Sequence, residues 1–318
     1  MKKNLILINL ALITFFFSCS TEETSENSNI QEETEVENPQ TGVLSNYVLS
    51  YPSGNSFTNK FEDGKQTITT SNSNYTSSEF SYNGEEMNEA NTYYSTGNIK
   101  TSYAFNYENG RLSSIDIEDD SSFFSYDHTK SLTYNDQEST ITITFPSNSS
   151  EITEFRLKFT DSNYDLITEF YQEKYYLYED NTRLVTSYIK EVFTYDSNRN
   201  CTKIVRSDAF NAEYQPTISE FNYSYDNYTN PLYAYYSSYY LETIILRSLR
   251  DNIFSFGLYE YIETFGKNNI DSINYPDSYT VYNTYSFDSF YENGLITKIE
   301  TSSDYNNQVT AITTYNYE

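Results

Sequence analysis

From Leu44 onward apolar and polar residues alternate. Tyr103, Phe105 and Tyr107 are separated by Ala104 and Asn106, and Phe155, Leu157 and Phe159 by Arg156 and Lys158. Ile141, Ile143 and Phe145 alternate with Thr142 and Thr144, and Phe221, Tyr223 and Tyr225 with Asn222 and Ser224. Successive side chains of a strand point to opposite faces, so each run turns one face to a core and the other to water. Asp63-Gly64, Asn83-Gly84, Asn109-Gly110 and Asn293-Gly294 separate such runs. These pairs tolerate the positive φ angles of tight hairpins. The pattern predicts an all-β fold, an antiparallel meander of hairpins. It leaves open whether the sheet is open and curved, closed as a barrel or folded as a sandwich.

One stretch departs from period two. Between Leu232 and Leu249, the residues Leu241, Ile244, Ile245 and Leu249 fall at helical spacing, and Arg247 and Arg250 lie near the end, where cations suit a helix C-terminus. Asn230-Pro231 offers a start signal. One short helix is predicted within 232–250, placed to plug one end of the sheet.

The N-terminus carries a different pattern. Lys2 and Lys3 precede an apolar run from Leu5 to Phe17, which stops at Ser18-Cys19-Ser20. A short positive region, an apolar core and a small residue at the exit mark a secretory leader. The run is too short for an ordinary membrane-spanning helix, which needs about 20 residues. The segment Phe16-Phe17-Ser18-Cys19 resembles a lipobox of the loose Bacteroidetes type, with Phe16 where a leucine is usual. That resemblance implies cleavage after residue 18 and lipid on Cys19. Residues 19–43 follow as an acidic linker, dominated by Glu22, Glu23, Glu26, Glu32, Glu33, Glu35 and Glu37. A segment with so little apolar surface cannot offset its ordering entropy and is expected to be disordered. Residues 44–318 are then a single β-rich domain.

Composition narrows the partners. The chain has 46 Asp and Glu against 19 Lys and Arg. Nucleic acid, which calls for clustered cations, is excluded as a partner. With 36 Tyr, 21 Phe and no Trp, the aromatics favour half-buried pleated surfaces. Cys201 is the only cysteine besides Cys19, so no disulfide framework is expected, and Cys201 reads as a small packed hydrophobe.

A local form recurs: an aromatic, a spacer, Tyr, an acidic or amide residue, a turn and an aliphatic return strand. It is clearest in Phe105 to Ile115, in Phe193-Thr-Tyr195-Asp196 to Ile204, and in Phe290 to Ile299. Phe124-Ser-Tyr126-Asp127 and Tyr223-Ser-Tyr225-Asp226 carry its front half. These segments resemble YD repeats, the Tyr-Asp hairpin units of RHS-type proteins. With Cys19, the acidic linker and Tyr225-Asp226 before Asn230-Pro231, the chain is similar to Bacteroidetes lipoproteins that carry such hairpins. In physical terms each unit is one hairpin, with its Asp or Asn nucleating the turn. One hairpin cannot bury its apolar face alone, so neighbours must stack.

Catalytic signatures are absent from the sequence. His128 is the only histidine and stands at a hairpin turn. Asp116, Glu118, Asp119 and Asp120 offer oxygens but lack the spacing of a calcium loop. No phosphate loop or nucleophile elbow appears. No catalytic, cofactor-binding or metal-binding residue is singled out, no cofactor is implied, and the protein is expected not to be an enzyme. The expectation is an outer-membrane lipoprotein of a Gram-negative bacterium, facing the periplasm or the cell surface. Lipid on Cys19 holds it to the membrane, and its β domain serves as a non-catalytic binding module. A glycan, peptide or protein would dock on its tyrosines. A structural or envelope-assembly scaffold is the alternative, with a polysaccharide hydrolase third. Oligomeric state is not legible.

Overall fold

A computed structural model describes residues 42–73, 75–119, 128–146, 151–209, 216–250, 266–274, 284–303 and 308–318. The predicted leader, Cys19, most of the acidic linker and the Phe124–Asp127 unit lie outside the described residues. The first nine strands are β1 (Leu44–Ser50), β2 (Ser56–Glu62), β3 (Lys65–Ser71), β4 (Thr76–Asn83), β5 (Glu86–Tyr93), β6 (Ile99–Glu108), β7 (Arg111–Asp119), β8 (His128–Asn135) and β9 (Thr140–Pro146). Five more follow: β10 (Glu151–Phe159), β11 (Ile167–Leu177), β12 (Arg183–Tyr195), β13 (Cys201–Ala209) and β14 (Thr217–Thr229). Two helices, α1 (Tyr233–Ser238) and α2 (Tyr240–Arg250), precede β15 (Asn268–Asn274), β16 (Thr284–Glu292), β17 (Leu295–Ser303) and β18 (Gln308–Tyr317).

Each strand pairs antiparallel with its successor, and β18 pairs back onto β1, so the 18 strands form one closed barrel. The alternatives left open by the sequence, an open sheet and a sandwich, give way to closure. Tyr47 lies opposite Tyr315 across the seam. Beyond it Val43 and Glu318 exchange backbone hydrogen bonds of 3.3 and 3.0 Å. Closure leaves no unpaired edge for another chain to extend.

One end of the barrel carries the tight turns between β2 and β3, β4 and β5, β6 and β7, and β16 and β17. Asp63 and Gly64 hold φ of 51° and 74°, a conformation that Asp-Gly supplies cheaply. Just before six turns at this end the register slips, at Phe61, Tyr82, Tyr107, Phe159, Tyr195 and Tyr291. These bulges re-aim the aromatic ring. Tyr82 then donates to the Gln66 carbonyl at 2.8 Å, Tyr107 to Met87 at 3.1 Å and Tyr134 to Leu112 at 2.7 Å. Tyr195 donates to Ile167 at 2.7 Å, Tyr225 to Cys201 at 2.8 Å and Tyr317 to Ile296 at 2.9 Å. In most of these bonds the acceptor is the residue paired with the aromatic of the hairpin before. Met87 lies opposite Tyr82, Leu112 opposite Tyr107, and Cys201 opposite Tyr195. The repeated tyrosine therefore stitches one hairpin to the next. Acidic turn residues act locally, as when Asp196 accepts the Asn198 and Asn200 N–H groups at 2.8 and 2.9 Å.

The predicted single helix is two. Asn230 starts it: its side-chain oxygen accepts the Leu232 N–H at 2.9 Å. The helix breaks at Tyr239, which leaves helical geometry at φ −120° and ψ 38°. The break turns the buried Tyr239 ring onto Tyr82, 5.1 Å away between centroids. Ile244 and Ile245 are buried, as their spacing predicted.

Candidate luminal site

The barrel wall has two unlike faces. Along β14, Ser219, Phe221 and Tyr223 are buried, whereas Ile218, Glu220, Asn222 and Ser224 are exposed. Along β10, Phe155, Leu157 and Phe159 are buried and Arg156 and Lys158 exposed. Most inward side chains are aromatic or aliphatic and most outward ones polar, with Val192 and Ile218 facing outward and Gln172, Glu191 and Arg206 inward. Arg156, Tyr171, Lys190 and Ser207 form one outward row across β10 to β13. Ion pairs lie on this outer wall, including Lys190–Glu169 at 2.8 Å and Lys203–Glu220 at 2.6 Å. Asp116, from the acidic run considered for metal binding, also faces outward. It accepts hydrogen bonds from Thr129 at 2.5 Å and Asn106 at 2.9 Å, which hold its carboxyl below the ordinary range.

The helices occupy the lumen and reach several walls. Tyr235 sets its edge against Phe61 of β2, with centroids 5.5 Å apart. The hydroxyl of Tyr240 accepts the Ile167 N–H of β11 at 3.1 Å. Glu242 lies 2.8 Å from the hydroxyl of Tyr107 on β6. Burial pushes the Glu242 carboxyl above its ordinary range, against the opposing hydrogen bonds to its own backbone and to Tyr107. Tyr107 has one proton and two acceptors, Glu242 and the Met87 carbonyl.

Beside the helices, between β1 and β6, lies a cavity of ≈330 Å³. Tyr47, Phe80, Tyr103, Tyr235 and Tyr236 give it ring faces. Asn59, Gln66 and Thr69 form a bonded triad in its wall: Gln66 donates to Asn59 at 2.9 Å and to Thr69 at 3.0 Å, and Thr69 donates to Asn59 at 2.7 Å. Ser78, on β4, and Thr243, on α2, line the same space, but their hydroxyl oxygens are shielded from it and have no hydrogen-bond partner among the described residues. Their residues are 2% and 6% exposed. Among the described residues no charged side chain lines the cavity. The half-exposed Tyr51, at the end of β1 away from the tyrosine stitches, stands at its rim.

Across the lumen the packing is dense. Phe155 and Phe170 stack with centroids 5.8 Å apart, and Ile204 and Phe221 are fully buried. A buried ion pair joins directly opposed residues of β12 and β13, Glu191 and Arg206, at 3.4 Å. Cys201 is buried and free, and burial pushes its thiol up, so it is unreactive at neutral pH. The side chain of His128 lies outside the described residues. Cys201, Phe155 and Phe221 were read from sequence as packed or face residues; the Glu191–Arg206 pair and the cavity lining were not. The small polar run Thr67 to Ser73 against Ser77-Ser78 was the available signal, since it breaks the aromatic filling of the other strands.

No family model matches the chain, and no curated protein matches it. Among solved structures it is similar to a porin-like protein from Bacteroides vulgatus, at 10% identity and a TM-score of 0.39, over 87% of this chain and 99% of that one. A porin-like protein from Bacteroides uniformis matches at 10% identity and a TM-score of 0.30, over 86% of this chain and 98% of the other. At such identity nothing of their activity is carried to this chain.

The closed barrel corrects the function expected from sequence. A tethered recognition module needed a sheet face presenting its tyrosines to a glycan, peptide or protein. Closure turns that face inward, where helices and neighbouring rings cover it. The chain is a closed 18-stranded barrel, not a lipoprotein binding domain with an open aromatic face.

Proposed function

We infer that the chain is a barrel of porin-like outline that stands in water at the outer membrane, held there by lipid on Cys19. Its lumen is plugged by the helices and the inward aromatic side chains, so it is not a channel through the bilayer. The observation that carries this reading is the distribution of side chains across the wall. A membrane-spanning barrel shows lipid an apolar band about 25 Å tall and keeps a polar interior. Here the order is reversed: Phe155, Leu157 and Phe159 face in and Arg156 and Lys158 face out. At a bilayer midplane each outward Arg or Lys would cost about 2–4 kcal/mol. The helices and inward aromatics also fill the space that a wide barrel of this strand number would otherwise leave as an aqueous path.

The full chain carrying Cys19→Ala tests this. It is expected to remain monodisperse without detergent, while the wild type sediments with membranes, and neither is expected to raise the conductance of a planar bilayer. A Cys19→Ala protein that still needs detergent, or a wild type that conducts ions, would overturn the reading.

A further inference from the structure

We propose that the outer wall of β10 to β14 is the face on which two copies of this chain pair about a two-fold axis. The inference rests on the reading of the barrel as standing in water. Three observations carry it.

The first is where exposed apolar side chains gather. Leu184, Val192 and Ile218 are 48%, 39% and 68% exposed and lie in this one sector. Val192 stands directly opposite Val205, and Ile218 continues the outward row of Arg156, Tyr171, Lys190 and Ser207. Tyr171 and Tyr188 stack on the same wall with centroids 6.2 Å apart. Other exposed apolar residues, such as Ile99 and Phe290, stand singly near strand ends. Single residues of that kind are ordinary, whereas a patch rimmed by charged groups marks an interface.

The second is charge. The chain carries a net charge of −27, so copies repel wherever acidic faces meet. Salt screens charges beyond about 8 Å, which leaves the contacting faces to decide. This wall is balanced: Lys190 pairs with Glu169, Lys203 with Glu220 and Arg156 with Glu154, while Arg183 spans Glu154 and Glu173. The wall of β4 to β7 instead turns Glu79, Glu89, Asp116 and Glu118 outward, and none of them enters an ion pair among the described residues.

The third is fit. A face with both signs around an apolar centre complements a rotated copy of itself. The acidic wall of β4 to β7 offers it no match, which disfavours head-to-tail stacking. Five strands about 4.8 Å apart and about 30 Å long span on the order of 700 Å², within the roughly 600–1,000 Å² per partner of a specific interface. A two-fold axis parallel to the barrel keeps both Val43 ends on one side, as lipid on Cys19 of both copies requires.

Sedimentation velocity of the full chain carrying Cys19→Ala tests the assignment. A dimer with a dissociation constant in the micromolar range is expected. Val192→Glu with Ile218→Glu should weaken association by about a hundredfold with the thermal midpoint held, and Ile99→Glu should leave it unchanged. Lys158→Glu with Lys203→Glu, which makes the face acidic, should weaken it by about tenfold or more, whereas Lys100→Glu on β6 should not. A monomer at about 100 µM, an assembly larger than a dimer, or a dimer that survives the double glutamate change at Val192 and Ile218 would each overturn the assignment. These failures are distinct from failure of the underlying reading, which shows as detergent dependence or conductance.

Discussion

The two sides of the lumen are built from the same hairpins and yet one is hollow and the other full. On β10 to β14 the inward residues are Phe155, Leu157, Phe170, Phe193, Ile204 and Phe221, all buried. On β2 to β5 the corresponding inward places hold Asn59, Thr69, Ser71, Ser78 and Ala90. The backbone geometry is shared, with the same register slips ahead of the turns and the same tyrosine stitches. The difference lies in side-chain volume. Rings such as Phe155 and Phe170 stack on neighbouring strands of one wall, whereas Asn59, Thr69, Ser78 and Ala90 on the other border a space of ≈330 Å³. A barrel of repeats can thus set its strength in one arc and its site in another.

That contrast is most exposed to truncation. Phe170→Ala, in the full side, should cost about 3–5 kcal/mol in urea unfolding. Phe80→Ala, which already borders empty space, should cost clearly less, and equal losses would mean the two sides are packed alike. Next comes the buried pair. Arg206→Met leaves Glu191 charged and buried and should cost about 3–5 kcal/mol, while the further change Glu191→Leu should recover most of that loss.

Overpacking should reverse sign across the lumen. Ile204→Phe is expected to destabilise by about 1–3 kcal/mol. Ala90→Leu is expected to stabilise by about 0.5–2 kcal/mol as it fills the cavity. Loss of stability with Ala90→Leu would show that the space is not free.

The smallest effects belong to the stitches and the plug. Tyr107→Phe removes one hydrogen bond to the neighbouring hairpin and should cost about 0.5–1.5 kcal/mol. Glu242 adds a pH dependence. Its folded-state pKa is raised, so the folded protein holds this proton more tightly than the unfolded chain. The stability it contributes is present below the ordinary glutamate range and is lost as pH rises through the raised value. Glu242→Gln should flatten that part of the stability-against-pH curve. An unchanged slope would place the Glu242 carboxyl in water.

Much of the fold was legible because strands and turns are local. Period two marked the faces of β6, β9, β10 and β14, and Asp63-Gly64, Asn109-Gly110 and Asn293-Gly294 marked hairpins. The helical stretch was legible through Ile244 and Ile245, but its break was not, since Tyr239 departs from the helix to reach Tyr82 on a strand far away in sequence. The luminal site was illegible for the same reason. Tyr47, Asn59, Ser78, Tyr103 and Thr243 lie far apart in the chain, and only the closed barrel brings them around one space.

The sequence by itself determined the class of this protein: antiparallel hairpins with one aromatic face, a short helical insert and a turn-end tyrosine in each repeat. Those properties follow from side-chain alternation and turn chemistry, which act within a few residues. Only the tertiary structure decided that β18 returns to β1, that the aromatic face is therefore the inside, and that charged side chains such as Arg156 and Lys158 stand on the outer wall. Closure is a property of the whole ring of pairings, set by the sum of bulge, twist and register over 18 strands, and no single segment contains it.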